Sequence, residues 1–371
     1  MSRSNPTPSA GAITTAAAGA VTTTSADAVG RDPKAGSPLL EVRGLSVVYD
    51  TSSGSVTAVD NVDLTVNRGE FVGVVGESGC GKSTMLFGIA QLLSSPARIA
   101  AGEVLFRGQN LVAMNDKQLA PVRWQNMSVV MQSAMNALNP VKRIRAQFAD
   151  TMKAHGVNNK AEIRERSEEV LSLVGIDKIH LESYPHQLSG GMRQRAMIAM
   201  ALLFTPELII MDEPTSALDV VAQRSLMLQI KELQHRLGFA VLFVTHDMSL
   251  VSHFSDRLVV MYAGQVAEFG ETRTVFDTPA HPYSKGLLEA FPSIRGPRVP
   301  LVGIPGSPPA LSAVPPGCRY EPRCPLAYAD CKTVEPALYE VNGVLARCLL
   351  YSPDHQPSAE PVDAARKESE Q

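Results

Sequence analysis

A nine-residue stretch, GESGCGKST at positions 76–84, constrains this chain more than any other part of its sequence. It fits the pattern G-x-x-x-x-G-K-[ST], in which glycines let the backbone curl so that successive N–H groups point inward. The β-branched run EFVGVVG leads into it, and the segment MLFGIAQLL, which has helical spacing, follows it. A helix that starts at such a turn also presents its positive end to an anion. We therefore predict a phosphate-binding loop, called here the phosphate loop.

The side chains and backbone of the phosphate loop have distinct expected roles. We expect Lys82 to reach the β- and γ-phosphates of a nucleotide and Ser83 to hold Mg²⁺ through its hydroxyl. The remaining loop positions are candidate nucleotide contacts: Gly76, Glu77, Ser78, Gly79, Cys80, Gly81 and Thr84. We interpret Cys80 as a tolerated loop residue, with oxidation that blocks nucleotide binding as the alternative. A Gly-rich turn without a ligand is the structural alternative for the whole loop, and the flanking strand and helix signals disfavour it.

The rest of the chain alternates strand and helix patterns, which indicates an α/β fold. Alternating apolar residues predict strands at LLEVRGLSVVYD and AVDNVDLTV, and buried strands are predicted at LIIMD (208–212) and AVLFVTH (240–246). A long helical stretch, VVAQRSLMLQIKELQHRLG, separates the last two. Such alternation predicts a parallel sheet covered on both faces.

Two adjacent carboxylates support the phosphate-site prediction. Asp212 ends the apolar strand LIIMD, where it can bind Mg²⁺ through water, and Glu213 follows it. Phosphoryl transfer needs a residue that orients or deprotonates the attacking water, and Glu213 is our candidate for that role. An acidic pair after a strand is weak evidence alone, but one that follows a phosphate loop by roughly 130 residues is strong evidence for a nucleotide site.

Further motifs resemble those of the ATP-binding cassette (ABC) ATPases. LSGGMRQR at 188–195 is similar to the family's signature motif, and SALD at 216–219, which ends in Asp219, is similar to its D-loop. Gln132 resembles the Q-loop glutamine, His246 the switch histidine that follows the last strand, and Tyr49 the aromatic residue that stacks on adenine. The motifs occur in the family's order. The resemblance implies a P-loop NTPase fold of the ABC type, with a mixed sheet core and a helical subdomain at about 133–187.

The signature segment suggests how two chains would share a nucleotide. Ser189, Gly190 and Gly191 open a helix and offer a second anion cradle. The resemblance implies that this cradle completes the ATP site of a second subunit in a head-to-tail dimer. ATP is favoured over GTP because the nearest match to the guanine motif Asn-Lys-x-Asp, at 159–162, ends in Glu162 and lies in the helical insert.

Composition sets the expected domain limits. Residues 1–37 are mostly small and polar, and 356–371 are similar, so we predict disordered tails, with a cleaved targeting peptide as the alternative at the N-terminus. The nucleotide-binding domain is expected at 38–290. A Pro- and Gly-rich boundary near 292 introduces a small C-terminal module at 291–355.

The overall charge and hydropathy exclude two classes of protein. A formal net charge of −3 gives no sign of a nucleic-acid partner. No apolar run reaches the roughly 18 residues that a membrane-spanning helix needs. We therefore expect a protein that stays in the cytosol and has no membrane-spanning helix of its own.

Four of the five cysteines lie in the C-terminal module: Cys318, Cys324, Cys331 and Cys348. Structural disulfides are improbable in a reducing compartment, which leaves reduced thiols, a zinc site or an iron–sulfur cluster. Neighbouring arginines, Arg319, Arg323 and Arg347, could offset the charge of a cluster. HPYSKGLL at 281–288 and GCRYEPRCPLAYADC at 317–331 resemble the C-terminal module of ATPase subunits from oligopeptide and dipeptide importers. Some of these carry a [4Fe-4S] centre, so the resemblance favours the cluster.

These resemblances imply the ATP-hydrolysing subunit of a di-/oligopeptide importer, bound peripherally to the cytoplasmic face of the cell membrane. The implied partners are two permease subunits, a second ATPase subunit and an extracytoplasmic substrate-binding protein. The resemblance favours a paralogue as the second ATPase subunit, with an identical copy as the alternative. An importer for nickel or another small solute, and a soluble ABC ATPase of translation or repair, remain alternatives. A regulatory cassette that binds ATP without hydrolysing it is disfavoured by intact Lys82, Glu213 and His246.

Overall fold

The fold is described from a computed structural model, which describes residues 38–52, 54–132, 137–216, 218–290 and 303–354. The predicted tails, the first residues of the predicted helical insert and the first part of the Pro- and Gly-rich boundary lie outside these ranges. The strands are β1 (Leu40–Thr51), β2 (Gly54–Val66), β3 (Phe71–Val75), β4 (Ala97–Phe106), β5 (Gln109–Asn110), β6 (Met127–Val130), β7 (Leu208–Asp212), β8 (Ala240–Val244), β9 (Arg257–Tyr262), β10 (Gln265–Glu271), β11 (Tyr339–Val341) and β12 (Val344–Ala346). The helices are α1 (Lys82–Ile89), α2 (Asp116–Leu119), α3 (Ile144–Ala154), α4 (Lys160–Leu173), α5 (Gly190–Ala201), α6 (Val220–Leu237), α7 (Met248–Phe254), α8 (Thr272–Asp277) and α9 (Pro282–Glu289).

The strands form two sheets. The larger has the order β11-β12-β10-β9-β3-β8-β7-β6, and the smaller has the order β2-β1-β4-β5. In the larger sheet β9, β3, β8, β7 and β6 are parallel, whereas β10, β12 and β11 continue it antiparallel. The smaller sheet is antiparallel throughout. The expected mixed sheet core is therefore present.

Two apolar layers cover the larger sheet. On one face, inward residues of β3, β7 and β8 pack with α1 and the smaller sheet, as at Val72, Val74, Leu86 and Val47. On the other face, the same strands pack against α5, α6 and α7, as at Phe243. Strands β3, β7 and β8 are buried along their whole length because both faces are covered.

The C-terminal segment extends the larger sheet. Its strand β12 pairs with β10, with Ala346 opposite Glu268. Arg319 of this segment forms an ion pair with Asp60 of β2 and also donates to the Ala263 carbonyl. Residues 303–354 are thus joined to the cassette by backbone pairing and by a charged contact between a partly buried arginine and a strand of the smaller sheet.

Candidate functional site

The candidate residues meet at one end of the larger sheet. The phosphate loop follows β3, Gln132 follows β6, Asp212 ends β7, and His246 follows β8. These four strands are neighbours and parallel, so their carboxyl ends lie together. In parallel α/β sheets this is where ligands bind. His246 does not follow the last strand, as the sequence suggested, because β9 and β10 come after it.

The phosphate loop folds tightly around Lys82. Gly76 and Gly81 have φ angles of 153° and 101°, which a residue with a side chain rarely adopts. A Cβ atom at Gly81 would also collide with the Ala58 carbonyl oxygen. The Lys82 ammonium is buried and donates to the carbonyl oxygens of Gly76 at 2.8 Å and Glu77 at 2.9 Å. The loop therefore holds a positive charge at the start of α1.

The Ser83 hydroxyl donates a 3.0 Å hydrogen bond to the Asp212 carboxylate. Burial raises the pKa of Asp212 above its ordinary value, the Ser83 hydrogen bond opposes that shift, and the neighbouring Glu213 adds to it. Hydroxyl and carboxylate oxygens are hard donors, and Mg²⁺ in nucleotide sites takes one or two such ligands together with water and phosphate oxygens. These two residues fit a magnesium site.

Glu213 is the centre of a second group of side chains. Its carboxylate accepts a hydrogen bond from the Gln132 amide at 2.7 Å, and His246 Nδ1 lies 3.6 Å from its other oxygen. Glu213 also has a φ of 45°, a conformation that costs energy for a residue other than glycine and is enriched at functional sites. Gln132 and His246 are exposed, so the group opens to solvent. It can orient and deprotonate a water molecule.

Glu77 has two partners outside the phosphate loop that the sequence did not indicate. Its N–H donates a 3.0 Å hydrogen bond to the Tyr283 hydroxyl, and its carboxylate binds Arg323. Because that N–H already has a partner outside the loop, it is not free to bind a phosphate in this conformation. Sequence reasoning missed both partners, since no spacing pattern connects positions more than 200 residues apart.

Tyr49 lies at the mouth of the phosphate loop. Its hydroxyl is 3.1 Å from the Thr84 hydroxyl, and the ring is only partly buried. The ring therefore has an open surface next to the start of α1, which is compatible with stacking on a flat base.

The signature segment lies at the surface, at the start of α5. The exposed Ser189 caps this helix, accepting a hydrogen bond from the Met192 amide at 3.2 Å. Farther along, the buried Gln194 donates to the Pro214 carbonyl beside Glu213. Asp219 caps α6 through the Ala222 amide at 2.8 Å. Between described residues, no hydrogen bond or ion pair joins Ser189, Gly190 or Gly191 to the phosphate loop of the same chain.

The four C-terminal cysteines line one small cavity, and none is in a disulfide. Burial raises the pKa of Cys318 and Cys348 to about 11 and of Cys324 to about 12, and it also raises that of Cys331. Within the described ranges, however, no three or more Cys, His, Asp or Glu side chains are placed to hold a metal ion. The structure therefore does not support the iron–sulfur prediction.

The arginines next to the cysteines in sequence bind partners outside the cysteine group. Arg319 pairs with Asp60, Arg323 pairs with Glu77, and Arg347 donates to the carbonyl oxygens of Val266, Pro336 and Asn61. A guanidinium with its donors directed at such partners is held in place by them. The arginines attach the C-terminal segment to the cassette instead.

None of the helices in the described parts of the chain combines the length and the apolar character that crossing a bilayer requires.

Two sequence families match this chain. The family described as "ABC transporter" matches residues 59–216, which include the phosphate loop and the acidic pair. The family described as "Oligopeptide/dipeptide transporter, C-terminal region" matches residues 267–331. The second match begins within β10, so the family similarity starts before the expected boundary near 291.

Similar proteins point the same way. The oligopeptide transport ATP-binding protein OppD of Salmonella typhimurium is 40% identical over 318 residues, which cover 85% of this chain and 95% of that protein. The dipeptide transport ATP-binding protein DppD of Caldanaerobacter subterraneus is 37% identical over 318 residues, covering 85% of this chain and 98% of that protein. A solved dimeric structure of the ATP-binding cassette MJ0796 in a post-hydrolysis state with ADP and Pi is 30% identical, with a TM-score of 0.57 over 63% of this chain and 99% of that chain. The chain therefore belongs to the family of ABC transporter ATP-binding proteins, in the group that carries the oligopeptide/dipeptide transporter C-terminal region, and it is an ATP-binding cassette ATPase.

Proposed function

We propose that this chain binds and hydrolyses ATP to power the import of di- and oligopeptides. The observation that carries this proposal is the 40% identity to an oligopeptide transport ATP-binding protein across 95% of that protein's length. That similarity spans both the cassette and the C-terminal region, and the cassette alone would fit an ABC ATPase with any cargo.

The ATP site is proposed to form at the carboxyl end of the larger sheet. Lys82 reaches the β- and γ-phosphates, the amides of the phosphate loop cradle them, and Tyr49 stacks on the adenine. The proposed contacts are Tyr49, Gly76, Ser78, Gly79, Cys80, Gly81, Lys82, Ser83, Thr84, Gln132 and Asp212, with Ser189, Gly190, Gly191 and Asp219 supplied by a partner subunit.

Ser83, Asp212 and Gln132 are proposed to hold the magnesium that accompanies ATP. The 3.0 Å hydrogen bond between Ser83 and Asp212 supports the first two, because it places both oxygens at one point beside the phosphate loop. Bound Mg²⁺ would neutralise charge on the β- and γ-phosphate oxygens. Binding of a divalent cation would also favour the ionised form of Asp212, whose pKa is raised by burial.

Hydrolysis is proposed to depend on Glu213 as the general base. Its carboxylate accepts the proton of the attacking water. Gln132 orients that carboxylate through the 2.7 Å hydrogen bond, and His246 stabilises charge at the γ-phosphate. The backbone strain at Glu213 supports a functional role for this position.

A second ATPase subunit, different in sequence, is proposed to pair head to tail with this chain. Support comes from the exposed signature segment, which has no polar bond to its own phosphate loop among the described residues, and from the dimeric solved structure of MJ0796. ATP would then lie between Lys82 of one subunit and Ser189 of the other.

The complete importer is proposed to contain two permease subunits and an extracytoplasmic substrate-binding protein. This chain would lie peripherally at the cytoplasmic face of the membrane. Its proposed organisation is a cassette at 38–290, including a helical subdomain at about 133–187, and a C-terminal extension at 291–355.

The iron–sulfur cluster also stays a proposal. The lining of one cavity by all four cysteines supports it, whereas the lack of a metal-holding group among the described residues opposes it. The test is anaerobic purification followed by analysis for iron, sulfide and zinc. Iron and sulfide in equal amounts support the cluster, and zinc supports the zinc site. A protein that contains neither metal has four reduced thiols.

The proposed function is tested by transport in proteoliposomes. The full complex is purified through a tag on this chain, its partner chains are identified, and uptake of labelled dipeptides, longer peptides and nickel is measured with ATP at the cassette side. Peptide uptake that needs ATP supports the proposal. Uptake of nickel alone, or purification without permease subunits, overturns it.

A further inference from the structure

Two residues of the part of the chain that matches the oligopeptide/dipeptide transporter C-terminal region, Tyr283 and Arg323, bind Glu77 in the phosphate loop. The Arg323 guanidinium forms a bidentate pair with Glu77, donating to both carboxylate oxygens at 2.8 and 2.9 Å. The Glu77 amide donates to the Tyr283 hydroxyl at 3.0 Å. Side chain and backbone of one loop residue are therefore both fixed by residues outside the nucleotide-binding motifs.

Both anchors are rigidly held. Arg323 is only 6% exposed, and its Nε donates to the Pro305 carbonyl at 2.8 Å. Tyr283 is fully buried, with its ring 4.6 Å from that of Tyr262 and 5.4 Å from that of Tyr320. Side chains locked by packing and hydrogen bonds hold a site to within a narrow range of geometries. The contacts with Glu77 therefore limit how far the phosphate loop can move.

The charge on Glu77 explains why such an anchor would be needed. A carboxylate within a loop that receives a triphosphate repels it, because like charges at short range in a partly buried site are weakly screened. Glu77 is intermediate in exposure and lies next to Ser78, the first proposed phosphate contact after it. The Arg323 guanidinium neutralises this carboxylate and holds it to the side of the loop.

We propose that Arg323 and Tyr283 are positioning residues for the ATP site: they fix Glu77 and cancel its charge so that the phosphate loop accepts the triphosphate. This inference rests on the proposed ATP-hydrolysing function and assigns part of its regulation to the C-terminal region. That region would then influence nucleotide affinity, although it contributes none of the cassette motifs. Folding or unfolding of that region would therefore change nucleotide binding at the phosphate loop.

The charge argument predicts a rescue that a packing role would not give. Arg323→Met leaves an unneutralised carboxylate in the loop, so KM for ATP is expected to rise about tenfold, as for loss of a charged hydrogen-bonded partner, with kcat at saturating ATP within about twofold. Adding Glu77→Gln removes that carboxylate, and KM is expected to return to within about threefold of the wild-type value. The measurements use the full-length chain in the assembled complex.

Arg319→Met is the matched control, because Arg319 also joins the C-terminal segment to the cassette but pairs with Asp60. It is expected to lower the melting temperature without changing KM. Tyr283→Phe keeps the ring and removes the hydroxyl that accepts from Glu77, so KM is expected to rise about threefold. If Arg323→Met does not fold, Tyr283→Phe decides: an unchanged KM overturns the proposal.

Two outcomes separate this proposal from the proposed function. If wild-type complex fails to hydrolyse ATP, the ATPase function is overturned. If the wild type is active and Arg323→Met has an unchanged KM, or a raised KM that Glu77→Gln does not correct, only the positioning role is overturned.

Discussion

The side-chain amide of Gln132 donates a 2.7 Å hydrogen bond to the Glu213 carboxylate, which joins the loop after β6 to the residue after β7. Any movement of the Gln132 loop would therefore change the orientation of the proposed general base. Because Gln132 is exposed, a protein that contacts this surface could act on the base directly.

Glu213→Gln is expected to lower ATP turnover by at least about 100-fold, because the amide cannot accept a proton from water. ATP binding should remain, and the ATP-bound dimer should accumulate. Phosphate release and size-exclusion chromatography with ATP measure the two effects. The control is Glu207→Gln at the opposite end of β7, where the carboxylate pairs with Arg68 and Arg107, and its turnover should equal that of the wild type. Normal turnover in Glu213→Gln would contradict the assigned role.

Tyr49→Leu is expected to raise KM for ATP about five- to tenfold, which corresponds to loss of stacking on one base. Tyr49→Phe keeps the ring and loses only the contact with Thr84, so it should change KM by less than about threefold. Competition between ATP and a nucleotide with a different base measures the same contact independently. Equal effects of the two substitutions would mean that the hydroxyl, rather than the ring face, matters.

Ser189→Ala is expected to weaken ATP-dependent dimerisation in the Glu213→Gln background by at least about tenfold, since it removes a charge-assisted contact to the partner's ATP. It also removes a helix cap, which costs about 1 kcal/mol of stability. Asn159→Ala is the matched control, because Asn159 caps α4 through the Ala161 amide at 2.9 Å. Light scattering with ATP should show weakened pairing only for Ser189→Ala, and the same loss in both variants would reduce the role of Ser189 to capping.

Acidification is expected to destabilise the protein through His281. Burial lowers the pKa of His281 from 6.5 to about 4, and its Nδ1 accepts a hydrogen bond from the Tyr283 amide at 3.0 Å, which requires the neutral ring. The unfolded chain binds a proton at higher pH than the folded chain, so this contribution is complete above pH 6.5 and lost as the pH falls towards 4. The loss amounts to roughly 3 kcal/mol for a shift of about 2.5 pKa units. Between pH 7 and 4 the melting temperature should fall less steeply with falling pH in His281→Gln than in the wild type. An equal fall in both proteins would contradict the assignment.

Much of the site could be predicted from sequence because each part follows a local rule. The buried strands β3, β7 and β8 read as short apolar runs, and the loop after each begins with a residue whose type suits phosphate, magnesium or water. Neighbouring parallel strands then bring those loops to one place without further information.

Other features depended on long-range packing. The sequence does not predict strand β4, since half of its residues are exposed and it lacks apolar alternation. The pairing of β12 with β10 and the contacts of Arg323 with Glu77 join distant segments whose sequences carry no mark of one another. Cysteine spacing likewise suggested a ligand set but could not fix the thiol positions that a metal would need.

The pairing of β12 with β10 has a further consequence for the integrity of the cassette. A chain cut after α9 would leave one side of β10 with unpaired N–H and C=O groups, and such a strand is a template on which other chains add and aggregate. In the intact protein the strand at this edge of the larger sheet is β11, which is only three residues long and offers little to a neighbouring molecule. The C-terminal segment therefore protects the cassette from aggregation through the edge of β10. Versions of this chain that lack the segment should be poorly soluble even where the nucleotide site is complete.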